Sequence, residues 1–285
     1  MKGTMCRFPN SRPTIPSGPF AGLPEGSLKI LHLTDCHLYA DPSQCLLGLN
    51  TLETLDLVIA QALEQMGKPD LVLATGDLAH DASDSGYKRL RSRLSAIGAP
   101  AYCLPGNHDL PSKMKLLLNQ DNVHFVPDVQ INGWSLIFLD STVPGQTGGA
   151  LSDRELAQLE ETLSRHRDKH TLVCLHHQPV PVGSQWIDQI GLSNPEPLLR
   201  ILDGQTKGML WGHIHQEFEG LSGEIRLMGT PSTCIQFLPE QDNFGIDYRP
   251  PGYRWLNLLP NGEIQSQVEM LEEIPTGLDL ASMGY

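Results

Sequence analysis

Oxygen and nitrogen donors are concentrated in five short motifs of this chain: Asp35-Cys36-His37, Gly76-Asp77, Gly106-Asn107-His108-Asp109, His176-His177 and Gly212-His213-Ile214-His215. Taken singly, each has an ordinary reading. Asp-x-His and Gly-Asp are common turns or helix caps, and His176-His177 reads as one buried and one exposed histidine. Gly-His-x-His is the most informative, because residues i and i+2 of an extended segment turn both imidazoles to one side. Five independent turns, each ending a predicted strand and each carrying Asp, Asn or His, point to a metal site. Two Asp, one Asn and four His offer oxygen and nitrogen without thiolate, which suits divalent Mn, Fe or Zn rather than a cysteine-based structural zinc. Seven side chains are too many for one ion with an open position. Two ions sharing a carboxylate, spaced by about 3.5–4 Å, fit better; such a pair acidifies a bridging water and clamps phosphoryl oxygens.

The elements that must position these motifs follow from periodicity. A strand over 29–34 leads into Asp35. A helix over 51–66 follows, with apolar residues at Leu52, Leu55, Val58, Ile59 and Ala62. A buried strand over 70–75 ends at Gly76-Asp77. A helix over 87–97 is closed by Gly98, and a strand over 101–104 leads to Gly106. A short helix near 112–118 precedes strands at 123–126 and 135–140. The helix over 152–165 opens with Ser152 and Glu155, the pattern of a capping box. A strand over 171–175 ends at His176, a helix spans 196–202, and a strand over 208–211 ends at Gly212. Beyond it come strands at 217–221, 224–228, 233–237, 253–259 and 263–270, with Asn261-Gly262 marking a hairpin. Alternation followed by strands predicts an α/β core with a mixed sheet and a second, β-rich layer in one domain. Each motif falls at the carboxyl end of a strand, where open α/β sheets hold their ligands.

Composition narrows the function classes. The 285 residues are 40% hydrophobic and 19% charged, enough for one large core or two modest ones. Lys plus Arg is 20 against 33 for Asp plus Glu, a formal net charge of −13. Bulk charge of that sign grips neither nucleic-acid polymers nor an anionic membrane. No apolar run approaches the roughly 20 residues of a membrane helix. There are 11 His and 6 Cys, with no Cys-x-x-Cys pair. The Pro-, Ser- and Gly-rich start lacks the apolar region of a signal peptide. The expectation is a reduced, cytoplasmic protein with a disordered leader over 1–27, a folded domain over 28–270 and a tail over 271–285.

These five motifs, in this order, resemble the calcineurin-like binuclear metallophosphoesterases over about residues 28–270. Four further stretches are similar to the bacterial class III cyclic nucleotide phosphodiesterases: Leu46-Leu47-Gly48-Leu49-Asn50-Thr51, Ala74-Thr75-Gly76-Asp77-Leu78-Ala79, Gly212-His213-Ile214-His215-Gln216-Glu217 and Thr230-Pro231-Ser232-Thr233-Cys234-Ile235-Gln236-Phe237. The resemblance implies an α/β fold, a sandwich of two mixed β-sheets flanked by helices (α-β-β-α) in a single domain. It implies two divalent ions per chain, Fe and/or Mn, with Zn also compatible. Asp35, His37 and His215 would hold the first, Asn107, His176 and His213 the second, and Asp77 would bridge them. His176 is preferred to its neighbour His177 because it ends the strand. His108 would contact the phosphate and help protonate the leaving group, with Asn107, His37 and His215 beside the same phosphate, and Asp109 would orient His108.

The implied activity is hydrolysis of 3′,5′-cyclic AMP to 5′-AMP by a metal-bridging hydroxide. Acting on another phosphodiester, such as a 2′,3′-cyclic nucleotide or a glycerophosphodiester, is the alternative. A non-catalytic scaffold is more remote, since neither a ligand nor the motif histidine is lost. The partner is a small cyclic nucleotide, with no nucleic-acid polymer and no membrane; monomer and homodimer both stay open. His80, His177, Gln178, Trp186 and Asn243 lie on loops able to rim a base, although ordinary loop packing is the favoured reading of each. His32, His124, His166 and His170 read as structural or surface residues.

Overall fold

The computed structural model describes residues 22–202, 204–280 and 282. β1 (Leu28–Leu33) is followed by the paired short strands β2 (Cys45–Leu46) and β3 (Leu49–Asn50) and by α1 (Thr51–Met66). The alternation continues through β4 (Leu71–Thr75), α2 (Asp84–Ala96), β5 (Ala101–Leu104), α3 (Pro111–Leu117) and β6 (Val123–His124). β7 (Asp128–Ile131) and β8 (Trp134–Phe138) form a hairpin, and α4 (Asp153–Arg165), β9 (His170–Cys174), α5 (Gln185–Asp188), α6 (Pro195–Ile201) and β10 (Thr206–Trp211) follow. The remainder is β11 (Phe218–Ser222), β12 (Ile225–Gly229), β13 (Gln236–Phe237), β14 (Ile246–Asp247), β15 (Gly252–Leu258) and β16 (Ile264–Met270).

Two six-stranded sheets result, ordered β16-β15-β1-β4-β5-β6 and β11-β12-β10-β9-β8-β7. In the first, β1, β4, β5 and β6 run parallel, β15 pairs antiparallel with β1, and β16 pairs antiparallel with β15 at the edge. In the second, β8, β9, β10 and β12 are parallel, with β7 and β11 antiparallel at the rims. Side chains alternate between the two faces of a strand. Leu28 and Ile30 of β1 therefore join Leu71, Leu73, Trp134, Leu172 and Leu210 in the core between the sheets. Leu31 and Leu33 face the other way, against Leu55 and Val58 of α1 and Leu90 of α2. On the far side, Val173 and Met209 pack on Leu159 and Leu163 of α4 and Leu198 of α6. The layers run α-β-β-α, as the resemblance implies. Among the described residues no helix is long and apolar enough to cross a membrane.

Polar residues also cross the sandwich. His32, fully buried, bonds Thr230 Oγ1 (2.8 Å) and Thr75 Oγ1 (2.7 Å), one from each sheet's side. Buried Arg254 donates to Gly229 O (2.7 Å) and Thr230 Oγ1 (3.0 Å) and pairs with Glu219. These bonds satisfy groups whose burial would otherwise cost several kcal/mol, of order 2–7 for a polar group.

Several expectations need correction. The strands beyond Gly212 do not form a separate layer: β11 and β12 complete the second sheet, and β15 and β16 return to the first. The strand expected over 233–237 shrinks to β13, because Ser232, Thr233 and Cys234 turn around the Asp35 backbone; Ser232 Oγ donates to Asp35 O (2.8 Å) and Thr233 N to Thr34 O (3.1 Å). Ser152 Oγ does accept from Glu155 N (3.2 Å), but the Glu155 carboxylate accepts from Asp140 N (3.0 Å) instead of closing the box. The β7–β8 hairpin was not expected, although Asn132-Gly133 supplies the two positive φ angles (46° and 82°) that such a turn requires.

The expected leader lies outside the described residues over 1–21. Residues 271–280 carry no regular element and hydrogen-bond back, Leu271 N to Pro251 O (2.8 Å) and Asp279 N to Leu47 O (2.9 Å). Leu73 is fully buried between the sheets; Leu73→Ala should cost about 2–5 kcal/mol, read from urea unfolding, and a loss under 1 kcal/mol would contradict this core.

Candidate metal centre

All five motifs meet at one end of the sandwich. The first sheet supplies Asp35 and His37 after β1, Asp77 after β4 and Asn107 and His108 after β5. The second supplies His176 after β9 and His213 and His215 after β10. Turning donors inward directly after a strand needs unusual backbone: Asp35, His37, Asp77, His213 and His215 all have positive φ, between 44° and 64°. Non-glycine residues adopt that region at a cost of order 1–3 kcal/mol, and such strain gathers at functional sites. The turns are tied together, with Asp35 N donating to Gly76 O (3.0 Å) and His37 N to Asp77 O (2.8 Å). Two glycines make the close approach possible. A Cβ on Gly106 would lie 2.2 Å from Asp77 Oδ1, and one on Gly212 2.0 Å from Thr34 Oγ1.

Asp35, His37, Asp77, His176, His213 and His215 are each at most 2% exposed. Asp77 faces both halves of the cluster: Oδ2 lies 3.7 Å from His37 Nε2 and Oδ1 lies 3.4 Å from His176 Nε2. Asp35 Oδ1 is 3.3 Å from His215 Nε2 and 4.0 Å from His176 Nε2, while Thr34 Oγ1 (2.7 Å) and His213 N (3.1 Å) hold its Oδ2. The donor atoms of Asp35, His37 and His215 lie within 4.8 Å of one another, as do those of Asp35, Asp77 and His176.

The residues fit a pair of cations. Among the buried side-chain atoms of the described residues that lack a hydrogen-bond partner, Asp77 Oδ2, Asn107 Oδ1, His176 Nε2 and His213 Nδ1 cluster at this one end, whereas the others are scattered through the fold. Native proteins rarely leave such atoms unsatisfied without a reason, and all four belong to the predicted ligand set. The opposite nitrogen of each of three rings is fixed on a carbonyl: His176 Nδ1 on Thr75 O (2.9 Å), His213 Nε2 on Ile190 O (3.1 Å) and His215 Nδ1 on Ile235 O (2.8 Å). A carbonyl only accepts, so that nitrogen carries the hydrogen and the other presents a lone pair, the arrangement of a metal-binding histidine.

Charge follows burial. Desolvation pulls His176 down, but the charge of Asp77, 3.4 Å away, and then that of Asp35 outweigh it and raise its pKa to about 9. Burial raises Asp77, yet the facing histidines, His176 first, hold it well below the ordinary carboxylate value. A divalent ion between these groups competes with that proton, which links metal binding to proton release. Burial, then the charge of His176, takes His177 to about 3, and burial, then His108, takes His80 to about 4.

The structure separates the remaining candidates. His177 has both nitrogens engaged, Nδ1 with Ser141 Oγ (2.8 Å) and Nε2 with Thr147 O (3.2 Å). Gln178 is buried and donates to Ile187 O, and Trp186 packs edge-on against Phe237 and Phe244. Asn243 is exposed. Two of the expected rim residues sit among the central rings: His80 stacks on His108 at 4.3 Å, and His177 packs against His176 (5.0 Å) and His213 (4.6 Å).

Asp109 braces two of the site's turns. Its carboxylate accepts from Leu78 N (3.0 Å), Ala79 N (3.0 Å), Gly106 N (2.9 Å) and Tyr87 Oη (3.1 Å), tying the β4 turn to the β5 turn. Burial, then the Asp77 charge, pushes its pKa up to about 6. His108 is oriented instead by His80 O, 3.1 Å from its Nδ1, and by its own backbone N–H on Asp77 Oδ1 (2.9 Å). Thr34 and the three carbonyls were missed because residue type says nothing about which main-chain oxygen a fold delivers.

The chain is similar to known proteins over most of its length. The model of the calcineurin-like phosphoesterase family matches residues 28–217. The chain is 36% identical over 263 residues to the 3′,5′-cyclic adenosine monophosphate phosphodiesterase CpdA of Pseudomonas aeruginosa, covering 92% of this chain and 96% of that one. Its likeness to CpdA of Vibrio vulnificus is 39% over 266 residues, 92% and 97% of the two chains. A dimetal phosphatase from Danio rerio superposes with a TM-score of 0.60 at 14% identity, over 85% of this chain and 98% of that one, a likeness of fold. Gly106→Ala, which would press on Asp77, should weaken divalent-metal binding by about tenfold or more, measured by metal titration of the purified protein; wild-type affinity would contradict the packing described.

Proposed function

Because the chain belongs to the calcineurin-like phosphoesterases, we propose that it hydrolyses 3′,5′-cyclic AMP to 5′-AMP at a centre of two divalent ions. The observation that carries the substrate is the likeness to cyclic AMP phosphodiesterases over 92% of the chain. In this reading Asp35, His37 and His215 hold one ion, Asn107, His176 and His213 hold the other, and Asp77 serves both. Support comes from the opposed directions of the two Asp77 oxygens and from the four unpartnered buried atoms. Mn or Fe matches a donor set of carboxylate, amide and imidazole without thiolate. The five described cysteines are free, in keeping with a reducing, cytoplasmic setting.

When bound, the two ions supply Lewis acidity, polarising phosphoryl oxygens and acidifying water near neutral pH. The chain's own groups do the rest. His37, Asn107, His108 and His215 border the phosphate and orient it. His108 Nδ1 is held by His80 O (3.1 Å), so proton exchange with the substrate runs through Nε2. From the doubly protonated ring, Nε2 delivers a proton to the 3′ oxygen as its bond to phosphorus breaks and a water-derived oxygen takes its place, a general-acid role that leaves the ring neutral with its hydrogen on Nδ1. Asp109 keeps the Gly106–His108 turn pressed against the Asp77 turn through its four hydrogen bonds.

Metal-loaded protein should cleave 3′,5′-cyclic AMP faster than 2′,3′-cyclic nucleotides or glycerophosphodiesters. Chelation should abolish turnover, and added Mn²⁺ should restore it. Failure of the loaded protein to cleave 3′,5′-cyclic AMP would overturn the reading. His108→Ala should lower kcat by about 10²–10⁴ with both metals retained; full activity in that variant would remove His108 from the chemistry.

A further inference from the structure

His37 differs from the other three predicted ligand histidines. His176, His213 and His215 each anchor one nitrogen on a main-chain carbonyl. His37 Nδ1 instead lies 3.0 Å from Nδ1 of another imidazole, that of His80. A hydrogen bond between two ring nitrogens needs one N–H and one lone pair. His37 Nε2 faces Asp77 Oδ2 (3.7 Å) and His215 Nε2 (3.3 Å), so it is the atom directed at a metal and must present its lone pair. His37 Nδ1 therefore carries the hydrogen and His80 Nδ1 accepts it.

The same residue also holds His108. The two rings stack at 4.3 Å with planes inclined by 27°, and His80 O accepts from His108 Nδ1 at 3.1 Å. His80 is itself anchored by its backbone N–H on Leu38 O (2.9 Å), in the short pairing that joins the β1 and β4 loops. One side chain thus touches the predicted ligand on one side and the predicted proton donor on the other.

We propose that His80 is a positioning residue that sets the tautomer and direction of His37 through its Nδ1 and the plane of His108 through its ring. The inference rests on the ligand and acid roles given to His37 and His108 above. Two substitutions separate its two contacts. His80→Asn places an amide oxygen where Nδ1 stands and removes the ring. His80→Phe keeps a ring and removes the acceptor. The His80 carbonyl remains in both.

The test uses the full chain loaded with Mn²⁺, with Mn²⁺ dissociation constants measured by competition with a chelator and kcat and KM measured on 3′,5′-cyclic AMP. His80→Phe should weaken Mn²⁺ binding by about 10–100-fold, and His80→Asn should restore near-wild-type affinity. His80→Asn should lower kcat by about tenfold or more while leaving KM and Mn²⁺ affinity close to wild type. Wild-type affinity in His80→Phe together with wild-type kcat in His80→Asn would overturn the proposal. Equal losses of both quantities in both variants would overturn it too, since that marks a merely structural residue. A His37→Ala control that still binds Mn²⁺ as tightly as wild type would overturn the ligand reading itself, and this inference with it.

Discussion

Two carboxylates, Asp35 and Asp77, are buried at one end of the sandwich with imidazoles at 3.3–4.0 Å. An ionised carboxylate taken out of water must be matched by positive charge or strong hydrogen bonds. Here hydrogen bonds cover Asp35 Oδ2 and Asp77 Oδ1, whereas Asp77 Oδ2 has no hydrogen-bond partner. Cations between these oxygens and the facing nitrogens resolve that electrostatic demand. The strained turns, the close glycines and the carbonyl-anchored histidines all serve to keep that arrangement in place.

The sandwich makes the arrangement possible. Parallel strands end at a common level, and both sheets present their carboxyl ends to the same side. Neither sheet holds the whole donor set: His176 after β9 opposes Asp77, and His215 after β10 opposes Asp35. The relative placement of the sheets therefore sets the metal geometry. Apolar packing fixes it through Ile30, Leu73, Leu172 and Leu210, and His32 and Arg254 add polar ties near the site.

Much of this was legible in the sequence, for physical reasons. Buried strands with period-two apolar residues and helices with a 3.6 period gave most elements, such as α1, whose predicted and observed bounds coincide. The motif order pointed to one donor cluster, and the structure gathers those donors at one end. What was hidden depends on long-range geometry. Asp109 reads as a partner of its neighbour His108, but the turn sends its carboxylate back to Leu78 and Ala79. Glu155 looks like half of a capping box, but Asp140 N lies within its reach. The strands after Gly212 carry no local sign of which sheet they join, and β15 pairs with β1 from more than 200 positions away. His80 looked like a loop residue until the fold stacked it on His108.

The acidic chain and its anionic substrate are compatible because local positive charge, not the formal net charge of −13, governs where a cyclic phosphodiester lands. The account stands on two cations sharing Asp77. Anomalous diffraction from Mn²⁺-loaded crystals tests this most directly. It predicts two peaks about 3.5–4 Å apart, one among Asp35, His37 and His215 and one among Asn107, His176 and His213, with an oxygen of Asp77 within coordination distance of both. A single peak, or two peaks with Asp77 touching neither, would contradict it.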